Sequence, residues 1–320
     1  MSRLFSELKF VLFTVSIFIS FGITAAESRW AYLLSDYLTE TEDSILIKKL
    51  SSFNVLSFTG SYLDSRGNIR SSVSSEKIRK RLQKLFPKKN FLMYPLLTFR
   101  SAKEAEQFLN RKELFQKTSE NILKYTEEKG YHGIHLDIEN IPNHYSDSIS
   151  EFVKKAARTM RKKNLHISMA VFPEIQFRFK GLHSLNSLKD SLNEIIIMAY
   201  DLHDRSTEAG CVTDLAWAEK NIQSALEKFA PEKIRLGIPA YGYTWAEKNS
   251  VISAGQGKRL MQGKDWKRDP SGCIEIRHSQ KGKKAVTVFS DMELREKLSA
   301  LASKYRLHGT ALWRLGLEDE

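Results

Sequence analysis

The stretch GYHGIHLDIENIP, residues 130–142, decides the fold and raises a question about burial. Its apolar residues recur at every second position, a period typical of a β-strand. These residues are Ile134, Leu136 and Ile138. His135, Asp137 and Glu139 lie between them and therefore share the opposite face of the strand. A strand that buries two carboxyl groups without a cationic neighbour raises the pKa of at least one of them. A carboxyl group that stays protonated near neutral pH can act as a general acid.

Three other readings of this stretch remain open at this point. The carboxyl groups could be structural and bind backbone or water. His135, Asp137 and Glu139 could instead bind a metal ion, because all three are common ligand types. On a helix, His132, His135 and Glu139 would share one face, but the glycines at 130 and 133 and the two-residue alternation argue against a helix.

The rest of the chain alternates short apolar runs with amphipathic segments. The eight runs begin at Trp30, Phe53, Phe91, Tyr131, Leu165, Glu194, Ile234 and Gly309. Eight strands that alternate with helices predict an α/β fold, a (β/α)8 TIM barrel whose site lies at the carboxyl ends of the strands. An open doubly wound sheet would need an early phosphate-binding glycine turn, and the sequence has none. Residues 246–288, between strands seven and eight, are rich in Lys, Gly and Ser and predict an insertion on the barrel rim.

Residues 1–26 have the three parts of a secretory signal peptide. Arg3 and Lys9 precede an apolar run over residues 10–23, and small residues lead to Ala26. The run of 14 residues is short for a membrane span, which needs about 20 residues. We therefore expect cleavage after Ala26, one catalytic domain over residues 27–320, and a secreted or periplasmic protein. An uncleaved N-terminal membrane anchor is the alternative.

Composition and net charge limit the classes of molecule that the protein could bind. The chain of 320 residues has 42% hydrophobic and 28% charged residues and a formal net charge of +12. Loss of residues 1–26 removes two bases and one acid and leaves about +11. This charge is compatible with an anionic cell-envelope surface as a partner, but a basic solvated surface is the simpler explanation and is favoured. Export and the absence of any nucleic-acid motif argue against nucleic acid. No cofactor or metal motif is present, and the sequence does not indicate an oligomeric state.

The chain has two cysteines, Cys211 and Cys273. In an exported protein they could form one disulfide bond. They could equally be two small buried thiols.

Four segments in order resemble glycoside hydrolase family 18, the chitinase-like barrels, and in particular its spore-cortex and bacterial cell-wall branch. HGIHLDIE, residues 132–139, resembles the fourth-strand signature Asp-x-x-Asp-x-Asp-x-Glu. MAYD, GIPAYGYTW and ALWRLGLED resemble the sixth, seventh and eighth strands of the family. The resemblance covers most of residues 27–320.

The resemblance implies a secreted glycoside hydrolase that cleaves glycans containing N-acetylglucosamine, namely peptidoglycan, chitin or poly-N-acetylglucosamine. In this family the substrate's own acetamido group attacks, so the reaction is retaining and substrate-assisted. Glu139 would protonate the glycosidic oxygen and Asp137 would bind the acetamido N–H. The other implied site residues are Tyr200 and Asp201 as catalytic groups, and Trp313, Tyr241, Met198 and His135 in substrate binding. Asp201 has the opposite strand parity to Tyr200, so it reaches the sugar only if the chain turns at the strand end.

Two departures from the family signature affect the expectation. His132 and His135 replace its first two acids, which leaves the pH optimum open.

A non-catalytic glycan-binding barrel is the alternative function. Such barrels have usually lost the final acid of the signature, and Glu139 is retained here.

Overall fold

A computed structural model of the chain describes residues 28–318. The predicted signal peptide, residues 1–26, lies outside the described residues. No helix in the described part is long and apolar enough to cross a membrane.

The eight predicted strands form a closed parallel barrel. Strands two and three are each interrupted by two residues, so each consists of two segments. The barrel strands are Ser28–Leu33, Val55–Phe58 with Ser61–Leu63, Leu92–Met93 with Leu96–Phe99, Gly133–Leu136, His166–Val171, Glu194–Ile197, Ile234–Pro239 and Gly309–Trp313. The first strand pairs with both the second and the eighth, which closes the sheet on itself. A short strand, Ile69–Ser71, pairs antiparallel with Ser61–Leu63. The predicted TIM barrel is confirmed.

Each of the first seven barrel strands is followed by at least one helix. The α-helices are Ser35–Glu40, Asp43–Leu50, Ser75–Leu85, Ala102–Leu109, Phe115–Glu128, Ser146–Arg161, Leu185–Leu188, Leu215–Leu226, Ala254–Met261 and Met292–Lys304. Single turns of 3-10 helix are Lys112–Leu114, Asn143–Tyr145 and Pro231–Lys233. Helix Ser146–Arg161 shows why these segments fold. Its apolar residues recur every three or four positions, and that stripe is buried against the sheet.

A buried ion pair lies inside the barrel at its amino-terminal end. Arg235 and Glu194 are each 1% exposed, and Arg235 Nε lies 2.5 Å from Glu194 Oε1. His308 Nδ1 lies 2.6 Å from the same oxygen. Aromatic residues, including Trp30 and Tyr94, occupy the space above this pair. Because buried charges are stable only when paired, this group closes the base of the barrel without leaving a free charge below the site.

Between strands seven and eight the chain forms a second, antiparallel sheet. Its five strands, in spatial order, are Ser250–Ser253, Tyr241–Trp245, Lys283–Phe289, Ile274–Gln280 and Trp266–Arg268. The sheet begins at Tyr241, five residues before the start of the segment 246–288 that the sequence indicated. The difference arises because GIPAYGYTW contains two strands, one in the barrel and one that pairs with Lys283–Phe289.

Cys211 and Cys273 form a disulfide bond with a Cα–Cα distance of 5.5 Å. Of the two alternatives that the sequence left open, the structure therefore has the bonded one. The bond joins the segment after the sixth barrel strand to the inserted sheet, across 62 residues of sequence.

We expect loss of this bond to destabilise the protein. The chain-entropy model assigns about 4 kcal/mol to a disulfide that closes a loop of roughly 60 residues. Denaturant unfolding of a Cys211→Ser/Cys273→Ser variant should therefore show a free energy of unfolding lower by about 2–4 kcal/mol. The reduced wild type is the control and should match the variant. Equal midpoints for oxidised wild type and variant would contradict this expectation.

Candidate active site

Asp137 and Glu139 lie directly after the fourth barrel strand, at the carboxyl end of the barrel. Their side chains line a cavity of about 140 Å³. The other residues that line it are Tyr32, Ala170, Phe172, Phe177, Met198, Tyr200, Asp201 and Trp313. The apolar alternates of the same strand pack outward in the main core against the helices. The two-residue period of the strand therefore delivers both acids to one cavity.

The two acids share one electrostatic environment. Their side chains are hydrogen-bonded to each other, so one of them carries a proton. Burial raises the pKa of Asp137. Burial also raises the pKa of Glu139, and the negative charges of Asp137 and Asp201 raise it further. Glu139 is therefore the group that holds the shared proton.

Asp201 reaches the cavity because the backbone turns at the end of the sixth strand. Its φ angle is 59°, in the left-handed region that non-glycine residues seldom adopt. This turn overcomes the strand parity that separates Asp201 from Tyr200, and both residues line the cavity. The hydroxyls of Tyr241 and Tyr243 donate to Asp201 Oδ1 over 2.6 and 2.7 Å. Burial raises the pKa of Asp201, and these two bonds oppose that rise.

Two aromatic rings form one side of the cavity. The rings of Tyr200 and Trp313 are nearly parallel, at 20°, with centroids 6.3 Å apart. Trp313 also packs edge-on against Tyr32 at 5.1 Å. Met198 lines the same space. An aromatic surface of this kind suits the apolar face of a pyranose ring.

Two of the expected binding residues lie behind the cavity wall. Tyr241 is 3% exposed and lies behind two cavity residues, with its hydroxyl bonded to Asp201 and its ring edge-on to Tyr200. His135 is fully buried one layer below the acids. Its Nε2 lies 2.8 Å from the Tyr32 hydroxyl, and its Nδ1 lies 2.8 Å from Ser168 Oγ. Burial lowers the pKa of His135, with a smaller contribution from His166, so the ring below the acids is neutral.

A metal site in residues 135–139 would require the side chains of His135, Asp137 and Glu139 to converge on one point. His135 instead binds two hydroxyls below the cavity. Within residues 28–318, no group of three or more His, Cys, Asp or Glu side chains is arranged to hold a metal ion.

Several cavity residues were not predicted from the sequence. Tyr32 lies at the end of the first barrel strand and Ala170 and Phe172 at the end of the fifth, with the same alternation that placed Asp137 and Glu139. The period of two in AYL and HISMAVF is the signal that could have identified them. Phe177 lies in an irregular segment, and its position carries no such signal. Tyr243, which binds Asp201 without lining the cavity, lies two residues after Tyr241 on the same strand, so the same period could have identified it.

The burial of Glu139 predicts a gain in stability for Glu139→Gln. A carboxyl group whose pKa is raised on folding stabilises the native state most below its unfolded pKa of about 4.3. That contribution is lost as pH rises through the folded value. Thermal unfolding of wild type and variant should therefore agree near pH 4, and the variant should be more stable by about 1 kcal/mol near pH 8. The exposed Glu120→Gln is the control and should show no such trend. A variant that is less stable at pH 8 would refute the assignment of a raised pKa.

The hydrogen bonds from Tyr241 and Tyr243 are expected to lower the pKa of Asp201. A hydrogen bond to a charged group contributes about 1.5–3 kcal/mol, and one pKa unit corresponds to about 1.4 kcal/mol. Tyr243→Phe should therefore raise the pKa of Asp201 by about one unit, measured by carboxyl ¹³C NMR. Tyr305→Phe removes a similar 2.7 Å bond from Tyr305 to Glu219 on the outer surface and should leave Asp201 unchanged. An unshifted Asp201 in the Tyr243 variant would exclude this role.

Known proteins share both the sequence pattern and the fold. The glycosylase YvbX of Bacillus subtilis (strain 168), described as uncharacterized, is 22% identical over 228 residues, which cover 68% of this chain and 66% of that protein. Two further curated relatives are matched over 54% and 51% of their lengths, so the chain spans about half to two thirds of these relatives.

Two solved structures share the fold over most of the chain. A chitinase from Chromobacterium violaceum ATCC 12472 superposes with a TM-score of 0.80 at 19% identity, covering 92% of this chain and 96% of that one. The spore cortex-lytic enzyme SleL of Bacillus megaterium QM B1551 superposes with a TM-score of 0.77 at 17% identity, covering 92% and 71%. At these identities the likeness shows the fold.

The family is shown by the sequence itself. The profile of "Glycosyl hydrolases family 18" matches residues 100–318, about two thirds of the chain. The matched region contains the fourth strand with both acids, the sixth-strand Tyr200 and Asp201, and the eighth-strand Trp313. The chain belongs to glycosyl hydrolases family 18.

Proposed function

We propose that this protein hydrolyses glycans that contain N-acetylglucosamine, with retention of configuration and with the substrate's acetamido group as the nucleophile. The observation that carries the proposal is the hydrogen-bonded pair of Asp137 and Glu139 in one cavity with Tyr200 and Trp313. A proton donor, a carboxylate and a phenol that converge beside an aromatic surface are the groups that this chemistry needs.

In the first step Glu139 donates its proton to the glycosidic oxygen. The acetamido carbonyl oxygen attacks the anomeric carbon from the opposite face, the bond to the leaving sugar breaks, and a cyclic oxazolinium ion forms. Asp137 accepts a hydrogen bond from the acetamido N–H and offsets the positive charge. Tyr200 donates to the acetamido oxygen and orients it for attack.

In the second step the ionised Glu139 takes a proton from water. The water oxygen attacks the anomeric carbon and opens the oxazolinium ring. The product keeps its original anomeric configuration, and Glu139 recovers its proton for the next cycle. Trp313 holds the sugar ring by stacking, and Asp201, fixed by its two tyrosine partners, favours protonated Glu139 through its charge.

The polymers of the bacterial envelope are the proposed substrates, with peptidoglycan first. Solved relatives of the fold are described as a chitinase and as a spore cortex-lytic enzyme, which supports a polymer of N-acetylated amino sugars. The disulfide bond and the N-terminal sequence pattern support action outside the cytoplasm. The net charge of +12 favours an anionic surface near the substrate.

The central test compares Glu139→Gln with wild type on purified peptidoglycan, chitin and poly-N-acetylglucosamine. Mass spectrometry identifies the products and a reducing-end assay gives the rate. Wild type should release fragments with reducing ends from at least one polymer, and the variant should be slower by about 10²–10⁴. Glu120→Gln, on the outer surface, is the matched control and should retain the wild-type rate. Equal release by wild type and Glu139→Gln would disprove the role of Glu139. Tight binding of an oligosaccharide that stays uncut would favour the glycan-binding alternative.

The coupled acids predict a bell-shaped pH profile. Activity needs one proton on the pair, so the rate should fall at low pH when Asp137 becomes protonated and at high pH when Glu139 loses its proton. Burial raises the pKa of Asp137 to about 6, so the acid limb should lie near pH 6 rather than near 4. Asp137→Asn should lower the rate and remove the acid limb. A profile that stays flat from pH 4 to 7 would rule out an ionised Asp137 in the reaction.

A further inference from the structure

His183 lies outside the cavity and is 2% exposed, yet it joins two strands that supply the site. The backbone N–H of Phe172, at the end of the fifth strand, donates to His183 Nδ1 over 2.9 Å. His183 Nε2 lies 2.8 Å from the carbonyl oxygen of Ile138, between the two acids of the fourth strand. The His183 ring also stacks on the Phe172 ring, with centroids 4.9 Å apart and a 21° angle between the planes.

These two bonds fix the tautomer of His183. A backbone N–H can only donate, so Nδ1 must present its lone pair. A carbonyl oxygen can only accept, so Nε2 must carry the proton. Burial lowers the pKa of His183 to about 4, which keeps the ring neutral. The neutral ring is therefore a directional link with one acceptor and one donor.

The link connects the fourth strand, which carries the two acids, to a second aromatic wall of the cavity, formed by Phe172 and Phe177. The Ile138 carbonyl belongs to the peptide group that joins Ile138 to Glu139, so its orientation sets the direction of the Glu139 side chain. On the other side, the bond from Phe172 to His183 closes the base of the segment 173–182, which carries the cavity residue Phe177. Other hydrogen bonds also anchor this segment. Those at Ile175 and Lys180 join it to Trp217, Asn221 and Asn143. Those of the Glu174 and Arg178 side chains join it to Ser224, Lys228, Ser206 and Asp204.

We propose that His183 is a positioning residue that aligns Glu139 with the Phe172–Phe177 wall, so that the acid and the bound sugar keep one relative placement. This inference rests on the proposed function for its kinetic readout. It assigns a role in positioning to a side chain that touches neither substrate nor the reacting carboxyl groups.

Two conservative variants separate the two bonds. The side-chain oxygen of asparagine can occupy the position of Nδ1, so His183→Asn keeps the bond from Phe172 and loses the bond to Ile138. The amide nitrogen of glutamine can occupy the position of Nε2, so His183→Gln keeps the bond to Ile138 and loses the bond from Phe172. We expect His183→Asn to lower kcat by about 10–100-fold with little change in KM, because the acid is misplaced. We expect His183→Gln to raise KM several-fold with little change in kcat, because the wall is loosened.

His132 offers a matched control at the other end of the same strand. Its Nδ1 accepts a hydrogen bond from the backbone N–H of Met93 over 3.1 Å, the same type of bond as that from Phe172 to His183. His132→Asn and His132→Gln should change kcat and KM by less than twofold. Lower thermal stability is expected for all four variants and does not distinguish them.

Amide hydrogen exchange gives a readout that does not depend on activity. The Phe172 amide should stay protected in wild type and His183→Asn and should exchange faster in His183→Gln. A purely structural His183 would lower Tm in both variants and leave kcat and KM at wild-type values, and that result overturns the proposal. Equal Phe172 exchange in both variants also overturns it. If wild type cleaves no acetylated glycan, the proposed function fails, and NMR titration of Glu139 replaces kinetics: an unchanged titration in His183→Asn then overturns the positioning role.

Discussion

The site depends on the hydrogen bond between the carboxyl groups of Asp137 and Glu139, which share one proton. Two carboxyl groups in one cavity cannot both be ionised without a large electrostatic cost, so the pair retains a proton that either group alone would lose. The charge of Asp201 makes this constraint stronger for Glu139. The residues around the pair can be understood by how they preserve that proton and direct it.

The barrel interior separates its charges by layers. The base contains the paired Arg235 and Glu194, whose charges offset each other. Above them the ring of His135 is neutral and binds Tyr32 and Ser168. A cation in this middle layer would favour the ionised form of Glu139 and would lower its pKa. The replacement of a family acid by a neutral histidine therefore leaves Glu139 able to hold its proton.

The inserted sheet contributes hydrogen bonds to the site as well as part of the barrel rim. Two tyrosines of its strand Tyr241–Trp245 donate to Asp201, and the disulfide bond joins the segment after the sixth barrel strand to the same sheet. Outside the cavity, His183 connects the fourth and fifth strands. The acids are thus fixed from two directions by groups that do not enter the cavity.

The sequence by itself determined the eight strands, the barrel and the face on which Asp137 and Glu139 lie, because strand and helix periods are local and repeat over a few residues. Through its resemblance to one family, the sequence also identified the aromatic residues Tyr200, Tyr241 and Trp313 at strand ends. Only the tertiary structure decided that Asp201 turns into the cavity, that Tyr241 lies behind it, that the cysteines are bonded, and that His183 joins two strands. These features depend on contacts between segments far apart in the chain, such as the 40 residues between Asp201 and Tyr241. Closure of the barrel brings such segments together, and no local period records which of their side chains will meet.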